Sequence, residues 1–165
     1  MGGAEGQGAA GRTLVVLSTI TMVCSALLDN VTTVLLTVPI TFSITSQLKV
    51  DVMPYLISQI LSSNIGGTAT LIGDPPNIMI GSAVGLDFMA FVENLTVISI
   101  IIFILVQFIL IGLYRKGLHT QPELQEKIMR LPAAAQITDH ALLRKCLTVI
   151  FLTITLFVLH GSLGL

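Results

Sequence analysis

A polar stretch rich in glycine and proline interrupts the apolar sequence of this chain and limits what it can fold into. Residues 63–82 read SNIGGTATLIGDPPNIMIGS, which combines poor helix formers with a carboxylate. Non-helical backbone at membrane depth leaves N–H and C=O groups unpaired, and each costs several kcal/mol in hydrocarbon. Such a stretch is tolerated only where protein packs around it or where it lines a hydrated cavity.

The composition is that of a membrane protein. Hydrophobic residues make up 53% of the 165 residues, charged residues make up 10%, and the mean hydropathy is +0.93, whereas about 25% of an ordinary soluble domain is charged. These values predict an all-α integral membrane protein that crosses the lipid bilayer several times. The net charge of -1 and the scattered Lys and Arg residues exclude a nucleic-acid-binding function.

Apolar runs and polar breaks predict the order of the elements. The pair Asp29-Asn30 divides the first apolar run into two arms of about 15 residues, fewer than the roughly 20 that cross hydrocarbon. This favours a re-entrant helical hairpin, with two short spans or one long helix as the alternatives. The first predicted element is a flexible N-terminal tail (1–12). A membrane module (13–114) follows, made of the hairpin (13–46), a discontinuous transmembrane helix (53–84), an interfacial helix (85–95) and a span (96–114). A polar loop (115–140) then leads to a last span (141–165), at which the chain is truncated.

Charge predicts the orientation of these elements. With a hairpin that opens to one side and a broken helix that crosses, all 8 basic residues reach one face, while the opposite loop carries Asp87 and Glu93. Excess positive charge marks the cytoplasmic face. We therefore expect loop 115–140 to be cytoplasmic, in the plasma membrane of a prokaryote. The basic residues are Arg12, Lys49, Arg115, Lys116, Lys127, Arg130, Arg144 and Lys145.

Two polar interruptions are then expected to face each other near the middle of the membrane. The prolines remove two N–H donors, and the glycines let backbone carbonyls turn inward. Carbonyl, amide and hydroxyl oxygens suit sodium, and the N-termini of the helices that follow each interruption suit an anion. The candidate sodium ligands are Asn30, Thr32, Asn64 and Asn77, and the full set of candidate binding residues is Asp29, Asn30, Thr32, Thr33, Asn64, Gly66, Gly67, Thr68, Gly73, Asp74, Pro75, Pro76 and Asn77.

Asp29 and Asp74 are unusual residues for a membrane interior. Each costs roughly 2.5 to 3.5 kcal/mol there unless it is paired, hydrated or protonated. A proton and a cation would compete for such carboxylates, which gives a physical basis for cation/proton antiport. The structural alternative is that Asp29, Asn30 and Thr32 cap a helix and that Asn77 closes a turn. No cofactor is expected beyond a bound sodium ion or a coupled proton.

Two segments, SALLDNVTTVLLTVPIT and SNIGGTATLIGDPPNIMIGSAVGLDF, resemble signature segments of the ArsB/NhaD branch of the ion transporter superfamily. That branch contains arsenite efflux permeases, sodium/proton antiporters and the melanosomal P protein, and it is more distantly similar to citrate transporters. The resemblance implies a secondary transporter of an inorganic ion or oxyanion, not an enzyme. It also implies a site lined by Asn30, Thr32, Asn64, Gly66, Thr68, Pro75 and Asn77. Sodium-coupled carboxylate transporters carry uncharged polar residues at the positions of Asp29 and Asp74, which implies proton coupling or another substrate.

Members of that superfamily are longer and contain two inverted repeats, each with a hairpin and a broken helix. This chain has one copy of each, so the resemblance implies an N-terminal half that is completed by a missing second repeat or by a second copy of the chain. Two alternatives stay open: a fragment or subunit that does not transport alone, and, more remotely, an intramembrane aspartyl protease. The protease pattern needs Tyr before one Asp and Gly-x-Gly before the other, where this chain has Leu28 and Leu71.

Overall fold

A computed structural model describes residues 3–115, 118, 124 and 139–163. This part of the chain is all-α, which confirms the predicted fold class. Its helices are α1 (Gly3–Leu27), α2 (Asn30–Leu48), α3 (Met53–Thr68), α4 (Pro75–Val84), α5 (Phe88–Tyr114) and α6 (His140–Leu163). By length and composition, α1, α2, α5 and α6 can each cross a membrane.

α1 and α2 form a hairpin with a very short tip. Asp29 has an extended backbone, and its carboxylate accepts a hydrogen bond from the N–H of Thr32 at 2.9 Å, so Asp29 caps the N-terminus of α2. At the other end, Lys49 adopts a left-handed backbone (φ 53°) and its N–H bonds back to the carbonyl of Ser46. These two caps fix the limits of α2.

α3 packs against three other helices. It runs parallel to α1, because the hydroxyl of Tyr55 donates to the Ala10 carbonyl at 3.1 Å and the hydroxyl of Ser25 donates to the Ser63 carbonyl at 2.6 Å. α2 is antiparallel to α3, and so is α5. The contact between α1 and α3 is the most extensive in the described part of the chain.

Polar side chains hold the interior of this bundle. The amide of Gln107 on α5 accepts a hydrogen bond from Ser58 at 3.2 Å and donates one to Ser62 at 3.3 Å, while Ser58 is also hydrogen-bonded to Ser18 on α1 at 2.6 Å. All four residues are buried. The hydrophobic effect does not drive helices together in lipid, so close packing of small side chains and interhelical hydrogen bonds stabilise their association. The network joins α1, α3 and α5 into one unit.

One end of the bundle gathers several chain segments. A buried cluster of Ala10, Leu14, Tyr55 and Leu118 lies there, and Val50 and Tyr114 pack against it. The basic residues at the start of α1, in the α2–α3 turn and at the end of α5 therefore lie at the same end, which we call the basic end.

α1 begins earlier than the sequence predicted. Helix starts at Gly3, so the predicted flexible tail (1–12) is helical over its described part. The physical reason is tertiary, because Ala10 and Leu14 are buried against Tyr55. The hairpin arms have 25 and 19 residues, so the argument that they are too short to cross was wrong.

α5 also differs from its prediction. It is one helix, where the sequence predicted an interfacial helix (85–95) followed by a span (96–114). Asp87 caps it by accepting from the N–H of Ala90 at 2.8 Å, and no proline or glycine interrupts it before Gly112. The predicted loop 115–140 lies outside the described residues except at 115, 118, 124, 139 and 140.

Candidate functional site

The hairpin tip contacts the break between α3 and α4. The side-chain amide of Asn30 donates to Asn64 Oδ1 at 3.0 Å and lies 3.5 Å from Asp74 Oδ1. Asn64 lies near the end of α3, and Asp74 directly precedes α4. The sequence predicted that these two polar interruptions meet, and the Asn30 amide is the group that joins them.

The tip ends partway along α5. On α5, the hydroxyl of Thr96 donates to the Ala69 carbonyl in the break at 3.3 Å. α5 begins at Phe88, about two turns earlier, so it extends about 12 Å beyond the break at a rise of ~1.5 Å per residue. The hairpin therefore stops well short of the α4–α5 turn. The re-entrant hairpin stays a prediction.

Asn77 holds the break together. Its side-chain amide lies within hydrogen-bond distance of three carbonyls, those of Gly67 at 3.3 Å, Thr68 at 3.2 Å and Thr70 at 2.9 Å. The sequence offered Asn77 as a sodium ligand or as a residue that closes a turn. Its amide nitrogen acts in the second way, because it satisfies carbonyls that the end of α3 leaves unpaired.

Two residues that the sequence analysis did not select also bind the break to the hairpin. The hydroxyl of Thr70 donates to the Ala26 carbonyl at 2.6 Å and accepts from the N–H of Gly73 at 3.1 Å. Ser25 reaches the Ser63 carbonyl, one turn before the tip. The available signal was a small polar residue beside each glycine-rich or polar interruption.

The glycines serve close backbone packing. A Cβ on Gly66 would overlap the backbone carbonyl of Met22 on α1. A Cβ on Gly73 would lie 2.6 Å from the Gly67 carbonyl oxygen and 2.7 Å from that of Ser25. The sequence predicted that these glycines free carbonyls for a ligand, whereas the structure uses them to bring α1, α3 and the break into contact.

The two helix N-termini at the site offer few donors to an anion. The Asp29 carboxylate already accepts from the N–H of Thr32 at the start of α2. α4 starts with Pro75 and Pro76, which have no N–H, and the N–H of Asn77 bonds to the Asp74 carbonyl at 3.0 Å. The Asp74 side chain makes no capping bond to α4. These bonds leave few N–H groups for an anion, and an anion site at these helix ends stays a prediction.

The remaining candidate residues differ in exposure. Thr32 and Thr68 are exposed, as are Pro75 and Pro76, and the hydroxyl of Thr68 donates to the Asn64 carbonyl at 2.8 Å. Thr33 is completely buried. Among the described residues there is no group of three or more His, Cys, Asp or Glu side chains that could hold a metal ion. The oxygens of Asn30, Asn64 and Asp74 are the type of donor that a hard cation takes.

Comparison with known proteins adds a family. Residues 6–165 match the family described as "Citrate transporter". Over 152 residues the chain is 41% identical to the 46 kDa membrane protein of Mycobacterium leprae, covering 92% of this chain and 35% of that protein. An uncharacterized transporter of Mycobacterium tuberculosis is 38% identical, with the same coverage. The human P protein is 43% identical over 105 residues, 61% of this chain and 12% of that protein. This chain thus spans about a third of the length of the mycobacterial relatives.

Proposed function

Because this chain belongs to the citrate transporter family, we propose that it forms part of a secondary transporter in which the hairpin tip and the break hold a cation. One observation carries this proposal: the Asn30 amide lies 3.0 Å from Asn64 Oδ1 and 3.5 Å from Asp74 Oδ1. It supports a single site built from both interruptions. The family is a transporter family and not a class of enzyme, so no catalytic residues are assigned.

The charges at the site favour a cation over an anion. Asp29 and Asp74 bring two carboxylates to the tip and the break, and the two prolines of α4 remove N–H groups that an anion would need. Asn30 Oδ1 accepts no hydrogen bond from the described residues, so it is free to coordinate. We assign the cation role to Asn30, Asn64 and Asp74.

Sodium/proton exchange is the reaction that fits these groups best. A carboxylate that binds either sodium or a proton, but not both, couples the two ions in opposite directions. Arsenite efflux fits less well, because an oxyanion meets two carboxylates and few free N–H groups. Citrate, which the family description names, would need a bound cation to offset the same carboxylates.

The whole transporter needs more than this chain. The chain covers 35% of its mycobacterial relatives, and we infer that a second repeat or a second copy supplies the other wall of the site. We place the basic end on the cytoplasmic side of a prokaryotic plasma membrane.

Transport by everted membrane vesicles that contain the full-length protein tests the proposal. We expect sodium-driven proton movement that Asp74→Asn abolishes and whose pH dependence Asp29→Asn alters. Asp51→Asn is the matched control, because Asp51 is exposed in the α2–α3 turn and likewise accepts from a backbone N–H, that of Met53 at 3.0 Å. Sodium-driven proton movement that persists in Asp74→Asn and keeps its pH dependence in Asp29→Asn would remove the proposal, as would arsenite or citrate transport that is independent of sodium and protons.

A further inference from the structure

The tip half of α2 is held differently from the rest of the bundle. Four threonines, Thr33, Thr37, Thr41 and Thr45, follow one another at four-residue spacing on one side of α2. The hydroxyl of Thr41 lies 2.8 Å from Gln59 Oε1, so this side of α2 faces α3. The seam between α2 and α3 is therefore polar where Thr41 meets Gln59.

Two polar atoms in this seam have no hydrogen-bond partner among the described residues: Thr33 Oγ1 and Gln59 Nε2. Thr33 is 0% exposed and Gln59 is 1% exposed. The hydroxyls of Thr37 and Thr45 bond to carbonyls of their own helix, at 3.0 Å and 2.8 Å. Buried polar groups are almost always paired, so the closed seam is destabilised at these two points.

Assigning the Gln59 amide the other way does not remove the problem. The Thr41 hydroxyl has one hydrogen and also lies 3.0 Å from the Thr37 carbonyl. If that hydrogen goes to Thr37, the amide nitrogen of Gln59 must donate to Thr41, which leaves Gln59 Oε1 unpaired instead. One polar atom of Gln59 lacks a partner in either case.

A proline interrupts the backbone hydrogen bonding of α2 at the middle of the helix. Pro39 stands inside the helix between Thr37 and Thr41, and it removes one backbone hydrogen bond at that point. Its side chain is exposed. The half of α2 beyond it has three buried side chains, Thr41, Thr45 and Leu48, whereas the half before it has one, Thr33, whose hydroxyl has no partner among the described residues.

We propose that the first half of α2, residues 30–38, is a gate that swings about Pro39 and admits water to the seam with α3 and so to the hairpin tip. On opening, water pairs with Thr33 and Gln59, which offsets the contacts that are lost. The outer side of this half carries Leu35 and Leu36, 69% and 58% exposed, so the hydrogen bonds that the movement breaks are those of Asn30 with Asn64 and Asp74. α1, α3 and α5, held by the Gln107 network, stay in place.

The gate does not depend on which ion the protein carries, so its test needs no transport measurement. A water-soluble thiol reagent reacts with the thiolate form of a cysteine, and it does so only where water reaches the side chain. Thr33→Cys is the probe, in a protein whose Cys24 and Cys146 are replaced by alanine. Two matched controls are equally buried: Thr45→Cys, on the same helix beyond the proline, and Ser18→Cys, in the α1–α3 contact, whose residues are 2% and 1% exposed.

We expect Thr33→Cys in native membranes to react at least roughly tenfold faster than both controls, because the controls need a larger opening. Adding Pro39→Ala restores the missing backbone hydrogen bond and should slow the Thr33→Cys reaction severalfold without slowing Thr45→Cys. Should Thr33→Cys fail to fold, half-buried Thr37→Cys, one turn closer to Pro39, replaces it, and the effect of Pro39→Ala on its rate is then the test. Equal rates at Thr33, Thr45 and Ser18, or a rate at Thr33 that Pro39→Ala leaves unchanged, would overturn the gate.

Discussion

Asp29 and Asp74 both stand immediately before a helix, yet only one of them caps it. The Asp29 carboxylate accepts a hydrogen bond from the N–H of Thr32, while Asp74 precedes two prolines and its side chain makes no such bond. The difference follows from the residues after each aspartate, since a capping carboxylate needs N–H groups within the first turn. Asp74 is therefore the carboxylate that remains for a ligand.

Gly66→Ala tests the close packing of α1 on α3. The new Cβ would overlap the Met22 carbonyl, so we expect the free energy of unfolding in detergent micelles to fall by about 3 kcal/mol or more. Gly112→Ala is the control, because a Cβ there meets nothing within 4 Å. That substitution should raise stability by about 0.5–1 kcal/mol, and similar effects at the two positions would contradict the packing.

Asn77→Ala tests the role of Asn77 in the break. Removing its amide leaves three carbonyls without this donor, so we expect a loss of about 1–3 kcal/mol in the free energy of unfolding. Asn94→Ala removes an exposed amide that bonds to one carbonyl and should change stability by less than about 0.5 kcal/mol. A stable Asn77→Ala protein that has lost only ion binding would instead make Asn77 a ligand.

Sequence reasoning predicted the roles of residue types that are rare in a membrane interior, and it missed the roles of residue types that are common there. Asn30, Asn64 and Asp74 are costly in lipid, so their meeting was predictable. Ser25 was missed, because a membrane Ser or Thr commonly bonds to its own helix, as Thr21 does to the Leu17 carbonyl at 2.8 Å. Thr70 was missed because it lies in the non-helical break, where no periodicity indicates which group its hydroxyl reaches. Only the fold shows which hydroxyls leave their helix.

At the scale of elements, the Gln107 network predicts measurable coupling between α3 and α5. A double-mutant cycle with Gln107→Leu and Ser58→Ala isolates their 3.2 Å hydrogen bond. We expect a coupling energy of about 0.6 kcal/mol, the average for hydrogen bonds between membrane helices, and at most about 1.7 kcal/mol. The pair Ser43→Ala and Gln107→Leu serves as the control, since Ser43 is exposed on α2. Additive effects in both cycles would mean that the network does not join the two helices.

The element boundaries that the sequence predicted least well are those set by tertiary contact. The start of α1 depends on the burial of Ala10 and Leu14 against Tyr55, which no local signal in a glycine-rich tail reveals. α5 continues through the predicted interfacial segment, because Asp87 caps it and Phe88 and Phe91 are buried. By contrast, the break of residues 69–74 lies within the predicted interruption, since proline and glycine act locally.

At the scale of the whole molecule, the fold predicts which turns share a side of the membrane. Single cysteines at exposed Gln47, near the basic end, and at exposed Leu86, in the α4–α5 turn, should react with a membrane-impermeant maleimide from opposite sides. The basic end should be the cytoplasmic one, because Lys and Arg are retained there. Labelling of both positions from one side would mean that the broken helix does not cross.

The meeting of Asn30 with Asn64 is the contact on which the proposed site depends. Its most direct measurement is cross-linking by mercuric ion of the Asn30→Cys/Asn64→Cys protein in native membranes, with Cys24 and Cys146 replaced by alanine. The two amides are hydrogen-bonded at 3.0 Å, so we predict an efficient thiol–mercury–thiol bridge, and none in the Asn30→Cys/Leu86→Cys control. Absence of a bridge between positions 30 and 64 in folded, membrane-inserted protein would show that the tip and the break do not form one site.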